Sequence, residues 1–396
     1  MTCEAIFLNI ALLSAIFLSI LSLLILVILT FFRGAFWKLQ AFNDDLVPAE
    51  DLTEWPAIAS IVPARNEAAT IGKTVESLLG QEYAGPFRVM VVDDHSDDAT
   101  AELARRAAEK MQASQRVTVV TARELPEGWT GKLWALQQGV EAASAGSAEY
   151  FWFTDADIVH APDTLRRLVS RAETKKLDLT SLMVVLQVKS FAERLLMPAF
   201  LYFFLKLYPP RWIADASSRT AGAAGGCVLL RRPALERIGG VATIRSEVID
   251  DCALARAVKS SGGAIWMGLT RNSVSLRSYD SFGEIRDLIA RTAFTQLGYS
   301  GVVLMGTLLG MLITYAVPVV LTFSARPVVW RLSLAAWALM AFTYLPAVRF
   351  YGLSPLWAPL LPAAAAFYSY ATCLSAVRYW LGRGGQWKGR AQAARP

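Results

Sequence analysis

The chain has 396 residues, is 54% hydrophobic with a mean hydropathy of +0.38, and carries a net charge of +6. That is too apolar for an ordinary water-soluble enzyme, and the apolar residues concentrate before about residue 33 and after about residue 298. Basic residues sit near the membrane-adjacent ends with no basic stripe interleaved with aromatics, so an anionic bilayer is the expected partner and nucleic acid is excluded. Cys3, Cys227, Cys252 and Cys373 are scattered, with no C-x-x-C and no His cluster, which argues against a disulfide framework or zinc site and for a reducing compartment.

Taken in order, residues Ile6 to Phe32 form an almost unbroken apolar run, and roughly 20 residues suffice to cross the hydrocarbon. Glu4 in place of a basic n-region and the absence of a small-x-small cleavage site argue for an anchor over residues 1–35, not a removed signal peptide. Arg33 and Lys38 place the middle of the chain in the cytoplasm by the positive-inside rule. Residues 36–56, with Pro48 and Pro56, read as a linker.

From Ile58 the pattern becomes strand, turn, helix, repeated. Strands are expected at Ala59–Pro63, Phe87–Val92, Val117–Val120 and from Tyr150, with helices between them. Alternation of this kind predicts a mostly parallel, Rossmann-like α/β sheet of doubly wound type, with ligands gathering at the carboxyl ends of the strands. No G-x-G-x-x-G follows the first strand and no G-x-x-x-x-G-K-[ST] is present, which argues against a dinucleotide cofactor and a P-loop. The strand Tyr150–Phe153 runs into Thr154-Asp155-Ala156-Asp157. Two carboxylates leaving a buried strand there suit a hard divalent cation completed by a ligand's phosphates; the plain alternative is a polar turn ahead of the helix opened by Pro162 and Asp163.

After a strand at Leu179–Gln187 the alternation stops. Residues 191–213 are apolar and aromatic but carry Glu193, Arg194, Lys206 and Arg211, the pattern of an amphipathic segment in the membrane interface. The small-residue run Gly222–Gly226 lets backbone approach a ligand closely. The cluster Glu247-Val248-Ile249-Asp250-Asp251 stands at the mouth of a helix to about Lys259. Val302–Phe323, Val328–Val348 and Leu356–Tyr379 are each long enough to span, giving a membrane domain over 301–382 and a basic tail over 383–396. Three such spans after a cytoplasmic domain leave the tail outside, against the positive-inside trend, unless one is re-entrant or 191–213 inserts.

Four pieces stand in order: S-I-V-P-A-R-N-E (Ser60–Glu67), V-V-D-D-H-S-D-D (Val91–Asp98), D-A-D (Asp155–Asp157) and I-D-D-C-A-L (Ile249–Leu254). Together, ahead of membrane helices, they resemble the membrane-bound family 2 glycosyltransferases of GT-A fold, over about residues 57–300. The G-W-T-G-K segment (Gly128–Lys132) and the A-R-T-A-F-T-Q-L run (Ala290–Leu297) are most similar to the hopanoid-biosynthesis-associated branch, with ceramide-glucosyltransferase-like enzymes close by.

The resemblance implies an inverting, metal-dependent enzyme that moves one sugar from a nucleotide-diphospho-sugar to a membrane lipid hydroxyl, using Mg²⁺ or Mn²⁺, at the cytoplasmic face of a bacterial-type inner membrane. It implies that Pro63, Arg65, Asn66, Glu67, Asp93, Asp94, Lys132 and Asp155 bind the donor, that Asp157 and Asp155 hold the metal, and that Asp251, tuned by Asp250, is the general base. Gly225, Gly226, Cys227 and Arg291 would form the acceptor region. His95 and His160 find no role. The family's Q-x-x-R-W signature does not read out near Arg286 and Arg291, which favours single-sugar transfer over polymer extrusion. Transfer to a polyprenyl phosphate, or a non-catalytic membrane scaffold or transporter-like protein, are the rival readings.

Overall fold

The computed structural model describes residues 3–382 apart from 145, together with the short pairs 386–387 and 390–391. Arg383, Lys388 and Arg395 of the basic tail lie outside the described residues. The chain divides into two compact units: residues 40–187, 210–278 and 382–396 form one, and residues 1–39, 188–209 and 279–381 the other.

The long apolar helix α1 (Cys3–Phe32) opens the second unit. The first unit is built on an eight-stranded sheet in the order β3-β2-β1-β4-β7-β6-β8-β5. β1 (Ile58–Ala64), α2 (Ile71–Leu79), β2 (Phe87–Asp93), α3 (Thr100–Lys110), β3 (Val117–Thr121), α4 (Gly131–Ser144) and β4 (Tyr150–Phe153) follow the expected alternation. β1 pairs in parallel with both β2 and β4, and β2 with β3. All seven residues of β1 are buried, as a strand covered on both faces requires. The mostly parallel α/β sheet anticipated from the sequence is therefore present.

Its second half was less legible. A three-residue strand β5 (Ile158–His160) precedes α5 (Thr164–Thr174) and β6 (Leu179–Val185). α6 (Phe191–Leu207) belongs to the other unit, and the short α7 (Pro210–Ala214) returns to this one. β7 (Val228–Arg231) then inserts antiparallel between β4 and β6. After α8 (Arg232–Arg237) and α9 (Asp250–Ser260), β8 (Ile265–Ser275) pairs parallel to β6 and antiparallel to β5. Trp152, Tyr150, Leu165 and Leu182 lie in one continuous apolar core.

The segment read as a linker is pinned to the sheet unit from Gln40 on. Asp44 is buried and accepts from Arg171 Nε at 2.8 Å and Nη2 at 2.6 Å, while Arg167 also reaches its carboxylate at 3.3 Å. A buried carboxylate so paired is costly to strip of its partners.

In the other unit, α10 (Phe282–Ala290) and α11 (Ala293–Gln296) lead to α12 (Gly301–Met311), a π-helical turn at 312–316, α13 (Val317–Leu321), α14 (Pro327–Phe350) and α15 (Leu361–Trp380). Among the described residues four helical segments are long and apolar enough to cross a membrane: 9–32, 301–321, 327–350 and 355–380. The segment 191–213 is not among them. Serines join these helices: Ser19 Oγ lies 2.9 Å from Ser333 Oγ. Ser22 Oγ donates to the Ile313 carbonyl at 2.6 Å, inside the π-helical turn just ahead of Pro318, where the regular ladder is already broken.

Candidate active site

The strands β1, β2 and β4 end together, with Ala64 opposite Asp93 and Ile61 opposite Phe153. The turns leaving them therefore meet at one sheet edge. In the first turn Asn66 takes a positive φ of 52°, and its Oδ1 accepts from the Asp97 amide at 2.8 Å. Its own amide donates to Ser96 Oγ at 2.9 Å. Arg65 donates to the carbonyls of Asp94 and His95, and Ser96 Oγ donates to Asp93 Oδ1. The R-N-E and D-D-H-S-D-D turns are thus zipped together, with Asp93 and Asp94 both buried at their base.

Gly128 (φ 80°) turns the chain into Trp129-Thr130, and Lys132 follows as the second residue of α4. Lys132 Nζ lies 2.8 Å from Asp155 Oδ1 and 3.1 Å from Asp250 Oδ2. Burial alone would push this ammonium down, but Asp155, Asp250 and Asp251 hold it above the ordinary lysine value. Asp155, the most open of these carboxylates at 36% side-chain exposure, is held above its usual range by burial and by the charges of Asp157 and Asp250, against the pull of Lys132.

Asp250 and Asp251 open α9. Asp251 Oδ2 accepts from the Gly225 amide at 2.8 Å and Oδ1 from the Cys252 amide at 2.7 Å. Burial, then the neighbouring Asp250 charge, push its carboxyl up to about 6, in spite of Lys132 and these two amides. Backbone and carboxylate approach closely at Gly225: a Cβ there would stand 3.3 Å from Asp251 Oδ2 and 3.5 Å from Lys132 Nζ. Lys132, Asp155, Asp250, Asp251, Gly225 and Pro63 line one cleft of about 410 Å³.

Asp157, whose charge acts on Asp155, has partners of its own. Its Oδ2 accepts from Ser275 Oγ at 2.9 Å and Arg277 Nε at 3.3 Å, and Arg277 Nη2 reaches Glu67 Oε1 at 2.6 Å. Arg277 and Ser275 were not foreseen, because a single arginine past a strand has no diagnostic spacing. Gly226 packs on Val184, where a Cβ would stand 3.1 Å from Cγ2. Cys227 is a correction to the acceptor region: its thiol lies in the core under Trp152, whose Nε1 approaches Sγ at 3.4 Å. Arg291 ends α10, in the other unit. His160 lies in the core at 3% exposure, with its ring nitrogens 2.8 Å from Thr154 Oγ1 and 2.8 Å from Ser273 Oγ. Burial pushes that imidazole down to about 3, so it stays neutral.

Among the described residues no group of three or more His, Cys, Asp or Glu side chains converges as a closed metal cage. Mg²⁺ and Mn²⁺ bound with a nucleotide need less, one or two carboxylates with the phosphates and water completing the shell. Asp155 and Asp157 fit that partial role. The like-charge crowding that raises the Asp155 carboxyl is what an added cation would relieve.

Residues 60–239 match the family model described as Glycosyl transferase family 2. That match spans a little under half of the chain. Over 103 residues the chain is 37% identical to the 4,4'-diaponeurosporenoate glycosyltransferase of Staphylococcus aureus (strain USA300), covering 26% of this chain and 24% of that one. Over 127 residues it is 31% identical to an N-acetylglucosaminyltransferase of Rhizobium leguminosarum bv. viciae, covering 31% of this chain and 28% of that one. The matched stretch is thus about a quarter of the length of these curated relatives. In fold the chain is similar to the mannosyltransferase PcManGT from Pyrobaculum calidifontis, solved with GDP-Man and Mn²⁺, at a TM-score of 0.54 and 19% identity. That alignment covers 89% of this chain and 99% of the other.

Proposed function

We propose that the protein is an inverting glycosyltransferase that moves one sugar from a nucleotide-diphospho-sugar to the hydroxyl of a membrane lipid. The observation that carries this reading is Asp251, held by two backbone amides on the same cleft as Lys132 and Asp155. An acceptor hydroxyl must lose its proton as it attacks the anomeric carbon, and Asp251 is oriented to take it. With no second carboxylate acting as nucleophile, attack from the far side inverts the anomeric centre. Lys132, at the amino end of α4, faces the departing diphosphate together with the positive end of that helix's dipole. Asp93, Arg65, Asn66, Glu67 and Pro63 surround the nucleoside end, where a buried carboxylate suits a base N–H.

A bound Mg²⁺ or Mn²⁺ would stabilise the charge developing on the diphosphate, with Asp155 and Asp157 holding it. Gly225 and Gly226 bring backbone close to the acceptor. The S. aureus 4,4'-diaponeurosporenoate glycosyltransferase and the four candidate spans among the described residues support a lipid acceptor at a membrane; Arg33 and Lys38 favour a cytoplasmic sheet unit. A hopanoid, other polycyclic or sphingoid-type hydroxyl is the acceptor we favour.

The test is product analysis of the purified protein in membranes, supplied with a panel of nucleotide-sugars and lipid extracts. A glycolipid of inverted anomeric configuration is expected. A product linked through phosphate would move the assignment to polyprenyl phosphate, and no product from any donor would sink the enzyme reading.

A further inference from the structure

Three spans after a cytoplasmic domain would carry the basic tail to the outer face, unless 191–213 crosses or one segment is re-entrant. The sheet closes the first way out. β6 ends before 191–213, β7 begins after it, and the two strands are hydrogen-bonded neighbours. Both ends of that segment therefore stay on one face of the membrane.

The helices of the membrane unit bear on the second. Residues 301–321 form one candidate span and α14 the next, joined by the short connection 322–326, and α13 packs on α14. Ser19 of α1 meets Ser333, and Ser22, about one turn on, bonds to Ile313, so positions 313 and 333 lie at similar depth. The two spans are an antiparallel pair, and Gly301 and Phe350 reach the same face. Further along α1, Trp37 is tied back to Thr30 and meets Phe342. α1 thus runs parallel to α14, and Arg33 reaches that face as well.

After Phe350 the chain reverses, with the Gly352 amide donating to the Arg349 carbonyl at 3.0 Å and the Leu353 amide to that of Val348 at 3.1 Å. A 3₁₀ stretch of 6 residues, Pro355–Leu360, then runs back along α14, and Trp337 Nε1 donates to the Pro359 carbonyl at 3.0 Å. Trp337 stands near the middle of α14. At a rise of about 2.0 Å per residue such a stretch travels only about 12 Å, against roughly 30 Å of hydrocarbon. Pro355, Pro359 and Pro362 have no N–H, which lowers the cost of irregular backbone at that depth. α15 then returns. A Cβ on Gly301, the first residue of α12, would lie 4.0 Å from Trp380 Cζ2, at the last residue of α15. Tyr379 stacks on Tyr299 with centroids 4.4 Å apart, Ala376 packs with Leu304, and Arg378 pairs with Asp287 at 2.7 Å.

We propose that residues 355–380 form a re-entrant hairpin that enters and leaves the bilayer on the face where α12 begins. Among the described residues the crossings are then three: α1, 301–321 and 327–350. The basic tail after Trp380 joins Arg33 and Lys38 on one face, as the positive-inside rule favours. Leu356, 82% exposed, and Leu360, 42% exposed, meet the acyl chains of that leaflet alone. The hairpin does not rest on the sugar-transfer assignment.

The test is cysteine labelling of the full chain in a Cys3→Ser, Cys373→Ser background, Cys227 and Cys252 being buried. A membrane-impermeant maleimide is applied to intact and to permeabilised cells carrying Gln392→Cys, Glu109→Cys or Ala325→Cys. Gln392→Cys should label under the same condition as Glu109→Cys and opposite to Ala325→Cys. Labelling of Gln392→Cys together with Ala325→Cys would overturn the hairpin. Depth is the second measurement, read in nanodiscs from nitroxides attached after Leu356→Cys, Leu360→Cys, Tyr370→Cys or Leu381→Cys. Accessibility to oxygen relative to a nickel chelate should be highest at Leu360, lower at Tyr370 and lowest at Leu356 and Leu381. A maximum at Tyr370, with Leu360 shallow, is the profile of a full crossing and would equally overturn it.

Discussion

The backbone amide of Gly225 donates to Asp251 Oδ2 at 2.8 Å, so the small-residue run and the acidic pair, far apart in the chain, share one hydrogen bond. That bond fixes one carboxylate oxygen, and the Cys252 amide fixes the other. Asp251→Asn keeps size and can accept from one of the two amides, but it removes basicity. Turnover should fall by about 10² to 10⁴, the usual cost of a lost general base. Donor affinity, measured by calorimetry, should barely change. Near-parental turnover in Asp251→Asn with loss in Asp250→Asn would transfer the role to Asp250.

The same carboxyl predicts a pH profile. With Asp251 pushed up to about 6, the rate at limiting substrate should climb as pH rises through that value, as the base is uncovered. Stability runs the other way: the folded protein holds this proton more tightly than the unfolded chain. The contribution is present at low pH and is lost as pH rises from about 4 toward about 6. Thermal melts of Asp251→Asn should lack that part of the decline.

For the metal, Asp155 and Asp157 without a cation would repel a diphosphate. Nucleotide-sugar affinity should therefore drop in EDTA and recover with Mn²⁺. Equal affinity in both would remove the metal from the assignment. Arg277→Gln, which takes a competing cation off Asp157, should tighten binding of Mn²⁺ alone, read by the paramagnetic spectrum of the free ion.

His160 should matter for folding and not for chemistry. His160→Phe leaves the Ser273 hydroxyl without its ring partner in the core, at a cost of about 1 to 3 kcal/mol, while Thr154 Oγ1 keeps its bond to the Gly226 carbonyl. Denaturant melts should show the loss. The neutral imidazole also means that stability contributed above its unfolded value near 6.5 is lost as pH falls toward about 3.

Orientation can be read from Glu109, which is exposed on α3. A cysteine there should resist a membrane-impermeant maleimide in intact cells and react after permeabilisation. Ready labelling in intact cells would put the sheet unit outside.

The sequence made β1 to β4 readable because each is a compact apolar run followed by turn residues, and the parallel pairing follows from the helices between them. β7 was hidden by brevity, four residues between the glycine run and Arg232-Pro233. β8 was hidden by its interruptions, since Gly268, Arg271 and Asn272 break the apolar pattern of a long, partly exposed strand. The turn motifs at Asp93, Asp155 and Asp251 could be found because each follows or opens a regular element. Arg277 could not: its partner Glu67 lies 210 residues away, and nothing local marks the meeting.

The helix that carries Lys132 crosses β1 at Gly139, where a Cβ would lie 2.4 Å from Ile61 Cγ2 and 3.1 Å from Val92 Cγ2. Helix and sheet therefore behave as one casting, and no substitution can shim the cation forward or back by a fraction of an ångström. New donor or acceptor preferences must arise on the opposite wall, where Val241, Ile244 and Leu254 face the cleft from shorter elements. A library aimed at 241–254, sparing Asp250 and Asp251, would explore substrate range at a lower risk to folding than one aimed at α4.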